Sequence, residues 1–95
     1  MAVEAVIGKP YSEFRRDGVI VREFKKDIPV GDLIWHRDKH NRKLTVISGK
    51  GWQFQFDNAL PQDLHEGEII LIPRETYHRL LRGYTDLIIE IIESV

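Results

Sequence analysis

The sequence predicts an all-β fold, a barrel or sandwich of short strands, and three observations carry that prediction. Runs rich in Val, Ile, Leu, Phe, Trp and Thr recur along the chain, and none is long enough for a helix of three turns. Turn-forming pieces separate them: Ser48 to Gly51, Asp57-Asn58 and Arg82-Gly83. Within the runs, side chains alternate as a pleated strand demands, most clearly where Trp52, Phe54 and Phe56 interleave with Gln53 and Gln55.

In chain order, the expected strands are Val19 to Phe24, Leu33 to Asp38, Arg42 to Ser48, Trp52 to Phe56, Glu68 to Ile72, Tyr77 to Arg82 and Leu87 to Glu93. Tyr11 to Arg16 is the one helix-like stretch and is expected to be no more than a short turn. Alternation puts Ile34, His36 and Asp38 on one face of their strand and Leu33, Trp35 and Arg37 on the other. The aromatic face of Trp52 to Phe56 reads as core, and Gln53 and Gln55 are either an outer wet face or a pocket lining. The last strand is apolar on both faces apart from Glu90: Leu87, Ile89 and Ile91 form one set, Ile88 and Ile92 the other. A barrel interior accepts one set, so the other needs a cover, either a second copy in a homodimer or the segment Val3 to Ile7.

With 95 residues and 11.1 kDa, the chain is expected to be a single domain, 1–95. Apolar residues make up 42% and charged residues 31%, which excludes a disordered tail. Fourteen basic against fifteen acidic residues, interleaved, give no footprint for nucleic acid or an anionic membrane surface. The start carries an acid in place of a basic region, and the longest apolar run, Ile69 to Ile72, is far too short to span a bilayer, so a cytoplasmic location is expected. The absence of cysteine rules out disulfides, thiolate metal sites and a cysteine nucleophile. No phosphate-binding glycine loop and no nucleophile elbow is present.

The chemistry gathers around histidines. His36 and Asp38 lie two apart in an extended run, so one imidazole nitrogen and one carboxylate oxygen can face the same cation. A strand carrying His78 can stand beside them in a barrel. Two histidines and a carboxylate are the facial triad of non-haem iron sites, with open positions for a ligand. The bland alternative is an ion pair of Asp38 with Arg42 that fills the site without metal. His40 is either a solvated turn residue or a substitute ligand, and His65 reads as surface.

The stretch Gly31 to Gly49, with His36, Asp38 and Arg42 inside it, resembles the first cupin motif. Gly67 to His78, with Pro73 and then His78, resembles the second, and Lys50 to Glu66 has the short intermotif length of small single-domain cupins. The resemblance implies a double-stranded β-helix, the cupin or jelly-roll barrel, with a site inside it. Carried over by position, the first histidine is His36, the second is replaced by Asp38, the glutamate by Arg42, and the last histidine is His78. Gly31 stands one residue too close to His36, and Glu75 occupies the place of the usual glycine after Pro73. Arginine, always protonated, cannot ligate a metal.

Three functional readings follow. The first is a divalent-metal-dependent enzyme on a small polar molecule, with Fe, Mn, Zn or Ni held by His36, Asp38 and His78 and with His40 in reserve. The second is a metal-free cupin binding a small anionic or sugar-like molecule through Arg42, His36, His78 and Gln53 or Gln55, with Tyr77 also a candidate contact and the Asp38–Arg42 pair in place of the metal. The third is a structural barrel acting through its dimer surface.

Overall fold

The computed structural model describes residues 4–5 and 10–94. Among them are nine strands: β1 (Glu4–Ala5), β2 (Ser12–Arg16), β3 (Val19–Phe24), β4 (Asn41–Ser48), β5 (Gln53–Phe56), β6 (Gln62–Asp63), β7 (Ile69–Ile72), β8 (His78–Leu81) and β9 (Leu87–Ser94). A six-stranded sheet runs β1-β2-β3-β9-β4-β7 and a three-stranded sheet β6-β5-β8, every pairing antiparallel. The two inner faces enclose the core: Ile20, Phe24, Leu44, Val46, Ile70, Ile72, Leu87, Ile89 and Ile91 from the large sheet, with Phe54 from the small one and Trp52 just ahead of it. Burying such side chains contributes about 1.5–3 kcal/mol each, the dominant favourable term in a chain without cross-links.

Two expectations are corrected. Tyr11 to Arg16 is no helical turn, because Ser12–Arg16 is strand β2, paired with β3 over its whole length. The cause is the two-residue turn between them, where Asp17 and Gly18 both adopt positive φ, 51° and 78°. That turn twists as the flanking strands do, and Asp-Gly is among the pairs that tolerate it best. Leu33 to Asp38 is not a strand either. A 3-10 turn at Val30–Asp32 precedes it, and its one ladder contact is a bridge between His36 and His78.

The last strand divides as its alternation implies. Leu87, Ile89 and Ile91 are buried, whereas Ile92 lies on the outer face with Ile69 and Leu71 of β7, the edge strand. Glu4–Ala5 extend the sheet beside β2, and the remainder of Val3 to Ile7 lies outside the described residues. Close packing explains Gly83: a Cβ there would run into the backbone of Lys50 and Trp52.

Candidate metal centre

His36 and His78 are tied backbone to backbone. The His36 amide donates to the His78 carbonyl at 3.0 Å, and the His78 amide donates back at 2.9 Å. This reciprocal pair holds the two imidazoles edge to face, ring centres 4.4 Å apart, and Phe54 stacks on His78 with ring centres 5.4 Å apart. A further bond from the Glu75 amide to the Asp38 carbonyl, 2.7 Å, fixes the chain two residues beyond His36. Glu75, where the cupin pattern has glycine, takes φ 61°, so the left-handed turn survives the substitution at some cost in strain.

The local bonds of each ring decide which nitrogen carries the proton. His36 Nδ1 lies 3.1 Å from the Ile34 carbonyl, and His78 Nδ1 lies 2.8 Å from that of Thr76. A carbonyl oxygen only accepts, so in both rings Nδ1 is the donor. When the ring is neutral, Nε2 therefore presents a lone pair. Desolvation disfavours the charged form of His36 and lowers its pKa, outweighing the help of the Ile34 carbonyl, and the neighbouring His78 adds to the lowering. At neutral pH His36 is thus in the form that binds a cation.

Asp38 supplies the third group. The ligating atoms of His36, Asp38 and His78 all lie within 4.8 Å of one another. Asp38 Oδ1 faces Arg42 Nη1 at 3.2 Å, and Oδ2 faces His78 Nε2 at 3.3 Å. Oδ2 is buried and has no hydrogen-bond partner. Burial alone would raise the Asp38 pKa, but a His78 protonated on Nε2 and the Arg42 guanidinium outweigh it and hold the carboxyl below its ordinary value. Arg42 is itself held from behind by Glu93, with contacts of 2.8 and 2.9 Å.

The residues fit a metal. With both rings neutral, a carboxylate oxygen and two imidazole lone pairs converge, an array of acceptors that repel one another unless a cation, a metal ion or a proton on His78, stands among them. The Asp38–Arg42 pair foreseen as a metal-free filling is present, yet it uses Oδ1 and leaves Oδ2 facing the histidines.

The cluster opens into a cavity of about 390 Å³ whose lining includes His36, Asp38, Arg42 and His78. Gln53, Gln55 and Tyr77 do not line it. Gln53 donates to Asp63 (2.9 Å), Gln55 donates to the Ala59 carbonyl and accepts from Arg79, and Tyr77 lies under Arg37 at the surface. The pleat turns both glutamines away because Phe54, between them, faces the core. His40 is exposed in the turn before β4 and stands outside the cluster. Arg22 and Tyr11 line the cavity and Glu93 stands against Arg42, three residues that sequence reasoning did not place at the site. The signal for two of them was parity, since Arg22 shares a face with the core residues Ile20 and Phe24, and Glu93 with Ile89 and Ile91.

No protein-family model matches the chain, and no curated protein matches it. Solved structures do. An RmlC-like cupin from Shewanella frigidimarina superposes with TM-score 0.73 at 16% identity, covering 99% of this chain and 84% of that one. The CENP-C cupin domain of Drosophila melanogaster gives TM-score 0.70 at 20% identity, covering 98% and 74%. An iron(II) form of HppE gives TM-score 0.67 at 15% identity over 88% of this chain, which spans only 48% of that protein. Two antiparallel sheets closed around a histidine-bearing cavity, superposing on these structures over nearly the whole chain, give this protein the fold of a small cupin.

Proposed function

We propose that this chain is a metal-binding cupin that holds a divalent first-row ion through His36 Nε2, Asp38 Oδ2 and His78 Nε2 and receives a small polar ligand in the adjoining cavity. The buried Asp38 Oδ2, without a hydrogen bond and converging with the two imidazoles, carries this reading. The backbone carbonyls of Ile34 and Thr76 set the tautomers, and Arg42, braced by Glu93, orients the carboxylate. Once bound, such an ion polarises an oxygen donor of the ligand as a Lewis acid. The iron(II) in the name of one structural neighbour is consistent with this kind of site on this fold.

The test is metal analysis of tag-free protein with zinc, manganese and nickel titrations, alongside His78→Ala. Expected is one ion per chain, lost in His78→Ala, with affinity falling as pH drops because imidazole must be neutral to ligate. A protein that takes up no ion at saturating metal, yet binds small molecules in the cavity, would instead be the metal-free cupin, with the Asp38–Arg42 pair as its fixed charge.

A further inference from the structure

The cavity has two polar ends. One is the histidine cluster. The other is Arg22, on the inner face of β3, whose guanidinium lies over the Tyr11 ring at 4.2 Å and whose Nε donates to Glu13 at 2.6 Å. The strand register separates the two ends. Arg22 stands opposite Ile89, Arg42 stands opposite Glu93, and Ile91 lies between on β9 with Leu44 beside it on β4. On a flat sheet these rows put the Cα atoms of Arg22 and Arg42 roughly 16 Å apart, a gap that the inward side chains shorten. The floor between is apolar, made by Leu44, Ile89 and Ile91, with Phe24, Phe54 and Leu80 around it.

The charges of the lining are unequal: Arg22, Arg37 and Arg42 against Asp32 and Asp38. Arg42 is spoken for by two carboxylates, Asp38 and Glu93. Arg37 is more than half exposed and pairs with Glu75 at the surface, where water screens it. Arg22 differs from both. Its side chain is 11% exposed, and among the described residues Glu13 is the one carboxylate against it. A guanidinium fixed by one carboxylate and one ring, shielded from bulk water, is pre-organised to take a second oxyanion.

We propose that Arg22 is the anion-recognising end of the cavity and that the ligand is a small carboxylate with an apolar body. Its acid group sits on Arg22, its hydrocarbon lies along Leu44, Ile89 and Ile91, and its far end reaches His36 and His78. The assignment rests on reading this cavity as the ligand site and deepens that reading by naming the ligand class. It does not depend on a metal being bound.

The experiment compares hexanoate, hexan-1-ol and hexylamine by NMR titration of the full chain, with and without zinc. Hexanoate is expected to bind about tenfold or more tighter than hexanol, a preference that falls to about twofold or less in Arg22→Gln. Glu13→Gln, which removes the carboxylate competing for Arg22, is expected to tighten hexanoate by about threefold or more, and it decides the matter if Arg22→Gln fails to fold. Equal binding of hexanoate and hexanol, a preference that survives Arg22→Gln, or unchanged or weaker hexanoate binding in Glu13→Gln would each overturn the proposal. Zinc titration followed on the imidazole resonances serves as the separate readout. If zinc does not bind while the hexanoate preference depends on Arg22, the metal reading fails and the carboxylate assignment stands.

Discussion

Replacing Asp38 by asparagine separates the two roles its carboxylate plays, because the two oxygens face different partners. The amide side chain keeps an acceptor for Arg42 Nη1 at the Oδ1 position and places an N–H donor where Oδ2 faces His78 Nε2 at 3.3 Å. The new donor meets a lone pair, so an oxygen with no hydrogen-bond partner becomes a bonded group, a gain of about 1 kcal/mol. Against this stands the loss of charge opposite Arg42. Breaking a buried pair typically costs about 3–5 kcal/mol because the remaining charge is stranded. Here it is not stranded, since Glu93 holds Arg42 at 2.8 Å, and the loss should fall to about 1–2 kcal/mol. The two effects largely cancel. Urea denaturation in chelator is therefore expected to place Asp38→Asn within about 1 kcal/mol of wild type, while titration calorimetry shows its metal binding abolished. Destabilisation of about 3 kcal/mol or more with metal binding retained would refute the reasoning, showing Asp38 to be a structural ion-pair partner and no ligand.

Two other outcomes can be checked. Burial on its own would raise the Glu13 carboxyl, but the hydrogen bond and charge of Arg22, with Arg15 adding, hold it below the usual glutamate value of 4.5, so the unfolded chain binds this proton at higher pH than the folded one. Its stabilising contribution is complete above that value and is lost as pH falls through the lower folded one, so acid denaturation curves should slope less in Glu13→Gln, and an identical slope would show that Glu13 does not contribute. The homodimer expected from the sequence would use the outer face of the large sheet, where Ile69, Leu71 and Ile92 are 55%, 69% and 37% exposed. Light scattering should give twice the chain mass of 11.1 kDa, and Ile69→Lys with Leu71→Lys should give a folded monomer; a wild-type monomer at micromolar concentration would rule the dimer out.

How far the sequence can be read depends on where the forces that shape each segment originate. Strands β3, β4, β7 and β9 are legible because their alternation or apolar density is set by burial, which leaves its mark residue by residue. Strand β2 carries a weaker pattern, Ser12 to Arg16 being mostly polar, and the signal lies outside it in Asp17-Gly18, whose turn preference implies a strand on each side. The segment from Leu33 to Asp38 could not be resolved locally. Its residues have strand-like composition, but what holds it is the long-range bridge from His36 to His78 and the bond from Glu75 to Asp38, set by the fold as a whole. The grouping of His36, Asp38 and His78 was visible through spacing and resemblance. The buried oxygen of Asp38 and the braced Arg42 were not, because the first depends on packing against His78 from a distant strand and the second on Glu93 from β9.

The reciprocal amide bonds between His36 and His78 also make the site its own reporter of local opening. The loop that carries His36 has little other ladder support, so it can lift only by releasing both amides together, and each release exposes the site. Hydrogen exchange at these two positions would therefore follow one shared opening equilibrium, slower than exchange in the exposed turns and faster than in the β4–β9 ladder. Any occupant bridging the two imidazoles would slow both amides by the same factor. The paired amides thus time how often the barrel mouth opens, and a common slowing of the two reports that the site is occupied.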